Sequence, residues 1–433
     1  MYLNEKRLPR NCRKWFKRGL MLIALFTLAS VGTGDVFADA VTDWNQNTIN
    51  AFRTAGASSI ATMRILAIEQ AAVFDAVNGI ERRFTHLYVK PNGPNGASSR
   101  AAAIQAAYTT LVRFFPSQRS SLDAQRDASL AAITDEGSGR IKLGINWGQK
   151  VADDILALRC SDGFEAIFPP YTGGTAPGEW RPTPPANLAG QTPELAHMTP
   201  FVMTSPDQFR PSGPRVLTSA EYTTDFNEVK TFGRADPGST RSPEQTEIAL
   251  FWADNNQLHW NRIALYIAAH RSDSLADNAR TFALLSLATA DANIAAWDAK
   301  YYYSWWRPIT AIRLAATDGN DDTSPDATWS PLQTTNNHPE YVSGHSTISS
   351  AAARVLATIY GDNVTFTHGS DTLAGVTRTH TSFSTASDEA NVSRVYAGAH
   401  FRSNCEDGQA VGDRVGNLVV AKLARPKTGD ADE

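Results

Sequence analysis

Residues 336–361 read NNHPEYVSGHSTISSAAARVLATIYG, and the second half of this stretch has the periodicity of a helix. Gly361 follows the last apolar residue as a terminator, so the pattern predicts a helix from Ser346 to Tyr360. The apolar residues that share one stripe are Ile348, Ala352, Val355 and Ile359.

The start of this predicted helix has two interpretations. Ser343 or Ser346 can cap it, and a cap is the simpler interpretation of the segment alone. The free N–H groups and the dipole of a helix start also attract anions. Gly344 lets the backbone come close to such an anion, and His345 lies where it can exchange a proton with a bound oxyanion. The remaining sequence has to decide between them.

Helical periodicity recurs along the chain, whereas strand-like alternation is nearly absent. The first helical stretch is 58–80, and Gly79 near its end is suited to terminate a helix. We therefore predict an all-α fold. The other helical stretches are 98–115, 144–160, 242–255, 259–272, 276–306 and 406–423.

Residues 169–214 interrupt the helical pattern. They hold 11 of the 22 prolines, and proline disfavours regular structure because it removes a backbone donor and restricts φ. The aromatic residues of the segment argue against a free linker. We predict a long, ordered loop, rich in proline and glycine, that wraps the helical body.

The N-terminus has the three zones of a secretory signal peptide. Residues 1–18 are basic, Leu20–Val31 is an apolar run too short to span a bilayer, and small residues suited to cleavage follow at Ala38 and Ala40. No other segment is apolar enough to span. We predict an exported protein, periplasmic or secreted.

These features predict the organisation of the chain. Residues 1–38 form the signal peptide, 39–240 a helical part with the proline-rich loop, and 241–425 a catalytic helical core. Residues 426–433 form a frayed tail.

The net charge limits the possible binding partners, and the cysteine count limits the possible disulfides. Residues 1–38 hold 7 of the 40 basic and 2 of the 44 acidic residues, which leaves the remainder at a formal net charge of −9. An acidic body argues against nucleic acid as a partner. Cys160 and Cys405 remain after the signal peptide, and either one disulfide or two thiols is compatible with an exported protein.

Two further segments bear cations and a histidine. Lys300 and Arg307 lie seven residues apart, about two helical turns, which predicts that both project from one face about 10 Å apart. Pro308 predicts that the helix ends near Arg307. Arg394 is a third cation, and His400 has a neutral imidazole nitrogen that can attack phosphorus or bind a metal.

Taken in order, these segments read K-x6-R-P, S-G-H and S-R-x5-H. This arrangement resembles the superfamily of type 2 phosphatidic acid phosphatases and vanadium-dependent haloperoxidases, in particular its exported bacterial haloperoxidase-like members. The resemblance implies a large helical bundle of the haloperoxidase and acid phosphatase type. The matching residues are Lys300, Arg307 and Pro308, then Ser343, Gly344 and His345, then Ser393, Arg394 and His400.

The resemblance also implies a role for each residue. The side chains of Lys300, Arg307 and Arg394 neutralise the oxygens of bound phosphate or vanadate, and Ser343 with the Gly344 N–H adds hydrogen bonds. His345 acts as general acid and base. His400 is the axial vanadium ligand, or the phosphorylated nucleophile of a phosphatase. Vanadate is the implied cofactor, and phosphate competes for the same site.

One position departs from the family pattern. Four residues after the final histidine the family often has Asp, and this chain has Asn404. If Asn404 contacts His400, we expect a less basic ligand, because the amide oxygen carries no charge. This slightly disfavours a phosphohistidine step.

Vanadate peroxidases and phosphatases share the motifs, so other residues must separate them. Trp297 and His338 lie where haloperoxidases of this family place residues beside the halide, and histidine at 338 resembles the bromoperoxidase type. Packing alone also explains both residues. We predict a haloperoxidase acting on small molecules, hydrogen peroxide and a halide, with bromide favoured. The alternative is a soluble exported phosphatase acting on phosphate esters; an oligomer is compatible with either.

Overall fold

The computed structural model describes residues 39–427, which form two compact units. The first unit comprises residues 39–56, 68–161 and 265–279; the second comprises 57–67, 162–264 and the chain from 280 onward. The predicted signal peptide at 1–38 lies outside the described residues, as do positions 428–433 of the predicted tail. The predicted division at residue 240 stays a prediction.

The all-α prediction is confirmed. The described residues form thirteen α-helices: α1 Ala40–Ala55, α2 Ser59–Glu81, α3 Ser99–Phe114, α4 Arg119–Ala131, α5 Ser138–Leu158, α6 Ala220–Phe232, α7 Pro243–Phe251, α8 Asn256–Ala269, α9 Leu275–Tyr303, α10 Pro308–Arg313, α11 Gly344–Tyr360, α12 Phe383–Tyr396 and α13 Arg402–Lys422. Single 3₁₀ turns occupy Pro116–Gln118, Pro193–His197 and Ala315–Thr317.

One small sheet accompanies the helices, in the second unit. Strands β1 Phe366–Gly369 and β2 Thr377–His380 pair antiparallel, with Phe366 opposite His380. None of the helices between residues 39 and 427 combines the length and the apolarity that a bilayer crossing needs. Within the same range, neither Cys160 nor Cys405 forms a disulfide.

The first unit shows why Gly79 does not end its helix. Helix α2 continues to Glu81, and Arg82 follows with a positive φ of 56°. A Cβ on Gly79 would lie 2.5 Å from the Trp147 ring, whose Nε1 donates to the Ala76 carbonyl at 3.0 Å. Glycine is present at 79 because the indole packs directly on the helix backbone, so the predicted stop there was wrong.

In the second unit, the predicted helix from Lys300 to Arg307 breaks before Arg307. Helix α9 ends at Tyr303, and Ser304 has φ 47°. Arg307 is the N-cap of the next helix, with an extended backbone (φ −80°, ψ 155°), because Pro308 at the first helical position disfavours helix at the residue before it. Lys300 and Arg307 therefore do not share one helical stripe, and that prediction was wrong.

The loop at 169–214 is ordered, as predicted, and most of its length has no helix or strand. Its backbone pairs with the break after α9: Trp180 N donates to Ser304 O at 2.7 Å, and Trp306 N donates to Gly178 O at 2.8 Å. Further along, the Asp291 carboxylate of α9 accepts three successive backbone N–H groups, from Phe201, Val202 and Met203. These bonds hold the loop against α9.

Helix α11 packs closely against α13, which presents Gly408, Gly412 and Gly416 to it. A Cβ on Gly412 would lie 2.1 Å from the Thr347 carbonyl oxygen, closer than any Cβ contact allows. Three glycines at a spacing of four residues thus let the two backbones approach. This packing sets the position of the first turn of α11, where the second motif lies.

We predict that Gly412→Ala lowers the free energy of unfolding by about 1–3 kcal/mol, the usual effect of inserting a methyl group into a packed interface. The measurement is urea denaturation followed by circular dichroism. Gly139→Ala is the matched control, since Gly139 lies in the first turn of α5 with no atom within 4 Å of an added Cβ. That variant should be neutral or slightly stabilised. Equal effects of the two substitutions would contradict close packing at Gly412.

Candidate active site

Lys300, in the last turn of α9, is fully buried. Its Nζ donates to the carbonyls of Pro339 (3.1 Å), Glu340 (2.9 Å) and Val342 (2.5 Å). Burial lowers the pKa of Lys300 well below its usual value, and the neighbouring guanidiniums lower it further. Three acceptor oxygens favour the ammonium form, since a neutral amine has only two N–H donors. Lys300 thus places positive charge beneath the segment that leads into α11.

Arg307 connects the second and third motifs. Its Nε donates to the His338 carbonyl at 2.9 Å, and its Nη1 donates to the Ala399 carbonyl at 3.0 Å. Nη2 lies 2.9 Å from His338 Nδ1, and Nη1 lies 3.3 Å from His400 Nε2. Burial lowers the pKa of Arg307 to about 10, so it stays charged at neutral pH. One guanidinium therefore holds both histidine-bearing segments together.

Arg394, in the last turn of α12, has donors without partners. Its Nη2 donates to Gln333 Oε1 at 3.2 Å. Its Nε and Nη1 are buried and have no hydrogen-bond partner among residues 39–427. Burial lowers the pKa of Arg394 to about 10. A buried, charged group with two unsatisfied donors is costly unless an anion accepts them.

The first turn of α11 confirms that Ser343 is a helix cap. Its Oγ accepts from Ser346 N at 3.3 Å and lies 2.9 Å from Ser346 Oγ, whose own proton is donated to Asn391 Oδ1 at 2.7 Å. A Cβ on Gly344 would meet only Trp297 among the described residues, at an ordinary 3.5 Å. No close protein contact requires glycine there, so the space above it is open to a ligand.

His345 presents one bare ring nitrogen. Its ring hydrogen-bonds the backbone of Asp254, and its Nε2 is buried with no partner among the described residues. A backbone carbonyl only accepts, so Nδ1 carries the proton and Nε2 carries the lone pair. Burial, followed by the charge of Arg394, lowers the pKa of His345 well below 6.5. The ring is therefore a neutral base.

His400 is held by Glu340, a residue that the sequence analysis did not assign. His400 Nδ1 lies 2.8 Å from Glu340 Oε1, and that oxygen also accepts from Phe401 N at 3.0 Å. Oε2 accepts from Asn404 Nδ2 at 2.5 Å. Burial raises the pKa of Glu340 to about 7, even though the charges of Lys300 and Arg307 and the bonds from Phe401 and Asn404 lower it. The carboxylate directs the Nδ1 proton to itself, so the lone pair is on Nε2, which faces Arg307 Nη1 at 3.3 Å.

This geometry corrects the expectation for Asn404. Its amide donates to Glu340, and Glu340 supplies the carboxylate beside His400. A less basic histidine therefore does not follow from the asparagine. The only signal in the sequence was that Glu340, five residues before His345, is the single acidic residue in the run HPEYVSGH.

The two residues predicted beside the halide lie together in the wall of a cavity. The rings of Trp297 and His338 are 4.9 Å apart between centroids, and both are buried. They line a cavity of about 250 Å³ together with Gly344, His345 and His400. Burial lowers the pKa of His338 well below its usual value, as does the charge of Arg307. The cavity thus contains neutral imidazoles bordered by buried cations.

These features fit an oxyanion. Arg394 offers two unsatisfied donors, and the first turn of α11 leaves open space at Gly344. His345 and His400 line the cavity, and Nε2 of His345 has no partner among the described residues. Three buried cations outnumber the single carboxylate of Glu340, so the site has an excess of positive charge. A tetrahedral anion such as vanadate or phosphate accepts hydrogen bonds on every side and matches that charge.

Comparison with known proteins agrees with this geometry. Residues 280–429 match the family model of the second helical-bundle domain of vanadium chloroperoxidase. The match is consistent with the superfamily of type 2 phosphatidic acid phosphatases and vanadium-dependent haloperoxidases, which the three motifs resemble. All nine motif residues lie within the matched range.

Two of the similar proteins are peroxidases from this group. The vanadium chloroperoxidase of Curvularia inaequalis is 26% identical over 338 residues, which cover 63% of this chain and 54% of that protein. The chain thus spans about half the length of that curated relative. The crystal structure of the first bacterial vanadium-dependent iodoperoxidase superposes with a TM-score of 0.78 at 27% identity, over 90% of this chain and 98% of that one.

A third relative shares the fold. The holo-type structure of a bacterial vanadium-dependent chloroperoxidase has a TM-score of 0.69 at 17% identity, and the match covers 90% of this chain and 98% of that one. The helical bundle is therefore common to proteins whose sequences have diverged widely.

We predict that Glu340→Gln weakens vanadate binding by about 10–100-fold, the usual effect of removing a partner that orients a ligand histidine. An amide at 340 offers one oxygen to three donors and sets its own NH₂ against one of them. Isothermal titration calorimetry with vanadate measures the change. Asn404→Ala is the control, because it leaves the contact between Glu340 and His400 in place, and its effect should be smaller. A larger loss in Asn404→Ala would contradict the role of Glu340.

Proposed function

We propose that the protein is a vanadate-dependent haloperoxidase that oxidises halide with hydrogen peroxide in the cavity beside His345 and His400. The observation that carries the proposal is the pair of buried, unpartnered donors of Arg394, together with the neutral ring of His345, whose Nε2 has no partner among residues 39–427. Similarity to vanadium haloperoxidases supports the same activity.

Each residue has a role in this proposal. Arg394 and Ser343 donate to the anion, as does the N–H of Gly344. Lys300 and Arg307 add charge, and their present bonds to protein acceptors keep them close to the histidines. His400 Nε2 would hold vanadate through a bond to vanadium. When bound, vanadate supplies the Lewis-acid centre that activates hydrogen peroxide towards the halide.

His345 moves protons. Its Nε2 accepts a proton from incoming hydrogen peroxide and returns it to the oxygen that leaves with the halogen. The low pKa keeps the ring neutral below the ordinary imidazole range, so the base form is already present in mildly acidic solution. Eight of the fourteen residues that line the cavity are buried, and Ser58, Ser59 and Asn336 are exposed at its mouth, where peroxide and halide would enter.

We favour bromide as the halide. His338 stacks obliquely against Trp297 in the cavity wall, and histidine at this position resembles the bromoperoxidase type. Rates with chloride, bromide and iodide at equal peroxide decide this point.

A phosphatase is the second candidate, and Glu340 favours it more than the sequence did. A carboxylate on Nδ1 makes His400 Nε2 a stronger nucleophile, which a phosphohistidine step requires. Hydrolysis of a phosphate ester, assayed beside peroxide-dependent bromination with and without vanadate, separates the two activities.

The cellular location and the functional division of the chain belong to the same proposal. Export follows from the basic, apolar and small-residue zones of residues 1–38. Residues 241–425 form the proposed catalytic core, since they contain all three motifs.

We predict that phosphate and vanadate compete for one site and that Arg394→Ala weakens both by about 2–4 kcal/mol, because a desolvated charge contact is lost. Competition calorimetry measures both affinities. Arg354→Ala is the matched control: Arg354 is half-exposed on α11, 3.5 Å from Asp413, and does not line the cavity. Unchanged affinity for both anions in Arg394→Ala would mean that these donors do not bind oxyanions.

A second pair of variants separates the histidines. His400→Ala should abolish vanadate coordination and nearly all turnover. His345→Ala should keep vanadate bound and lower turnover by about 10²–10⁴, the usual contribution of a positioned proton-transfer group. The wild-type rate should have an acidic limb below pH 6.5, because the neutral base is lost only below its lowered pKa, and His345→Ala should lack that limb. Vanadate binding lost in His345→Ala but kept in His400→Ala would reverse the roles.

A further inference from the structure

The cavity beside the histidines also contains amide groups that the mechanism above does not use. Gln257 of α8 and Asn293 of α9 both line it and are buried. Neither Oε1 nor Nε2 of Gln257 has a hydrogen-bond partner among residues 39–427, and the same holds for Asn293 Oδ1. Each unsatisfied buried polar atom costs about 1–3 kcal/mol, so three of them in one cavity indicate a ligand.

The unsatisfied atoms define the ligand chemistry. Gln257 presents one acceptor and one donor on a single planar amide, which a cis-amide complements with its own N–H and C=O. Asn293 Oδ1 adds a second acceptor. A halide ion would satisfy Gln257 Nε2 alone and would leave two carbonyl oxygens facing an anion. A ligand complementary to these two oxygens must therefore carry N–H or O–H donors.

The walls restrict shape and charge. The Trp297 indole is fixed by its bond from Nε1 to Thr192 Oγ1 at 3.1 Å, and Ile60 and Ile348 add apolar surface. None of the described residues that line the cavity is Lys, Arg, Asp or Glu. A cavity of about 250 Å³ with an aromatic wall and neutral amides accommodates a single flat ring.

We propose that this cavity is a binding subsite for a small, neutral, planar organic acceptor that presents N–H and C=O side by side, as a lactam or a pyrimidinedione does. The subsite rests on the proposed function only for the fate of the bound ring: it is halogenated in place, beside His345. Gln257 and Asn293 select the acceptor, and Trp297 stacks on it.

The chemistry balances. Halide, hydrogen peroxide and one proton give hypohalous acid and water, and two electrons pass from halide to peroxide. An electron-rich ring carbon then attacks the halogen, so the halogen–oxygen bond breaks and a carbon–halogen bond forms. The ring carbon loses its proton, and the released hydroxide takes it to give water.

Uracil is the probe, and 1,3-dimethyluracil is its matched control because it lacks both N–H donors. Calorimetry with the full chain, free of vanadate, should show uracil binding and at least tenfold weaker binding of the dimethyl compound. Gln257→Met, nearly isosteric but without the amide, should weaken uracil binding at least tenfold and leave vanadate affinity unchanged. Asn261→Leu is the control variant, since Asn261 is buried one turn further along α8 and does not line the cavity.

Three results would overturn the subsite: no uracil binding to the folded wild type, equal binding of the two pyrimidines, or uracil affinity unaffected in Gln257→Met. A raised KM for hydrogen peroxide in that variant, with uracil affinity unchanged, would assign the amides to peroxide instead. If Gln257→Met does not fold, the comparison of the two pyrimidines on the wild type still decides. Uracil binding without vanadate binding would refute the proposed function and leave the subsite in place.

Discussion

The contact between His400 and Glu340 is the interaction on which the candidate site depends. Burial and the charges of Arg307, Lys300 and Arg394 lower the pKa of His400, so its ring stays neutral. In a neutral ring, one nitrogen must carry the proton and donate it before the other can act as a ligand. Glu340 provides that acceptor at 2.8 Å. It also supplies the negative charge that offsets part of the cost of burying three cations in one place.

The backbone around this contact is organised by charge as well. The three carbonyls that lead into α11 converge on the Lys300 ammonium, and the Arg307 guanidinium donates to carbonyls on either side of the site. These cations shape the segments that present Ser343, His345 and His400 in addition to contributing charge. A substitution at Lys300 or Arg307 therefore disturbs the structure and the anion affinity together. Two donors of Arg394, Nε and Nη1, have no partner among the described residues, so a substitution there tests anion affinity with fewer lost protein contacts.

The cavity combines two sets of demands. Towards α12 and α13 it borders cations and imidazoles, which suit an inorganic anion. Towards α8 and α9 it presents neutral amides and an indole, which suit a flat organic molecule. His345, whose Nε2 has no partner among the described residues, lines the same cavity as Gln257 and Asn293.

Much of the site was predictable because its chemistry is local in sequence. Ser343 caps α11, as the pattern of residues indicates. Pro308 excludes helical backbone at Arg307 and begins α10, because its ring restricts the residue directly before it. The order and spacing of the three motifs identified the superfamily, and helical periodicity predicted an all-α chain. The prediction that Lys300 and Arg307 lie on one helix was wrong, because the helix ends before Ser304, which has a positive φ.

The sequence by itself therefore determined the residue types of the site, the helices that carry them and the fold class, since each depends on short-range sterics, capping and periodicity. Only the tertiary structure decided which groups meet. Glu340 and Asn404 lie 64 residues apart and bond at 2.5 Å, and the unsatisfied amides of Gln257 and Asn293 enter the same cavity from two different helices. Such partnerships depend on how helices pack against each other, and no local pattern along the chain specifies that distance.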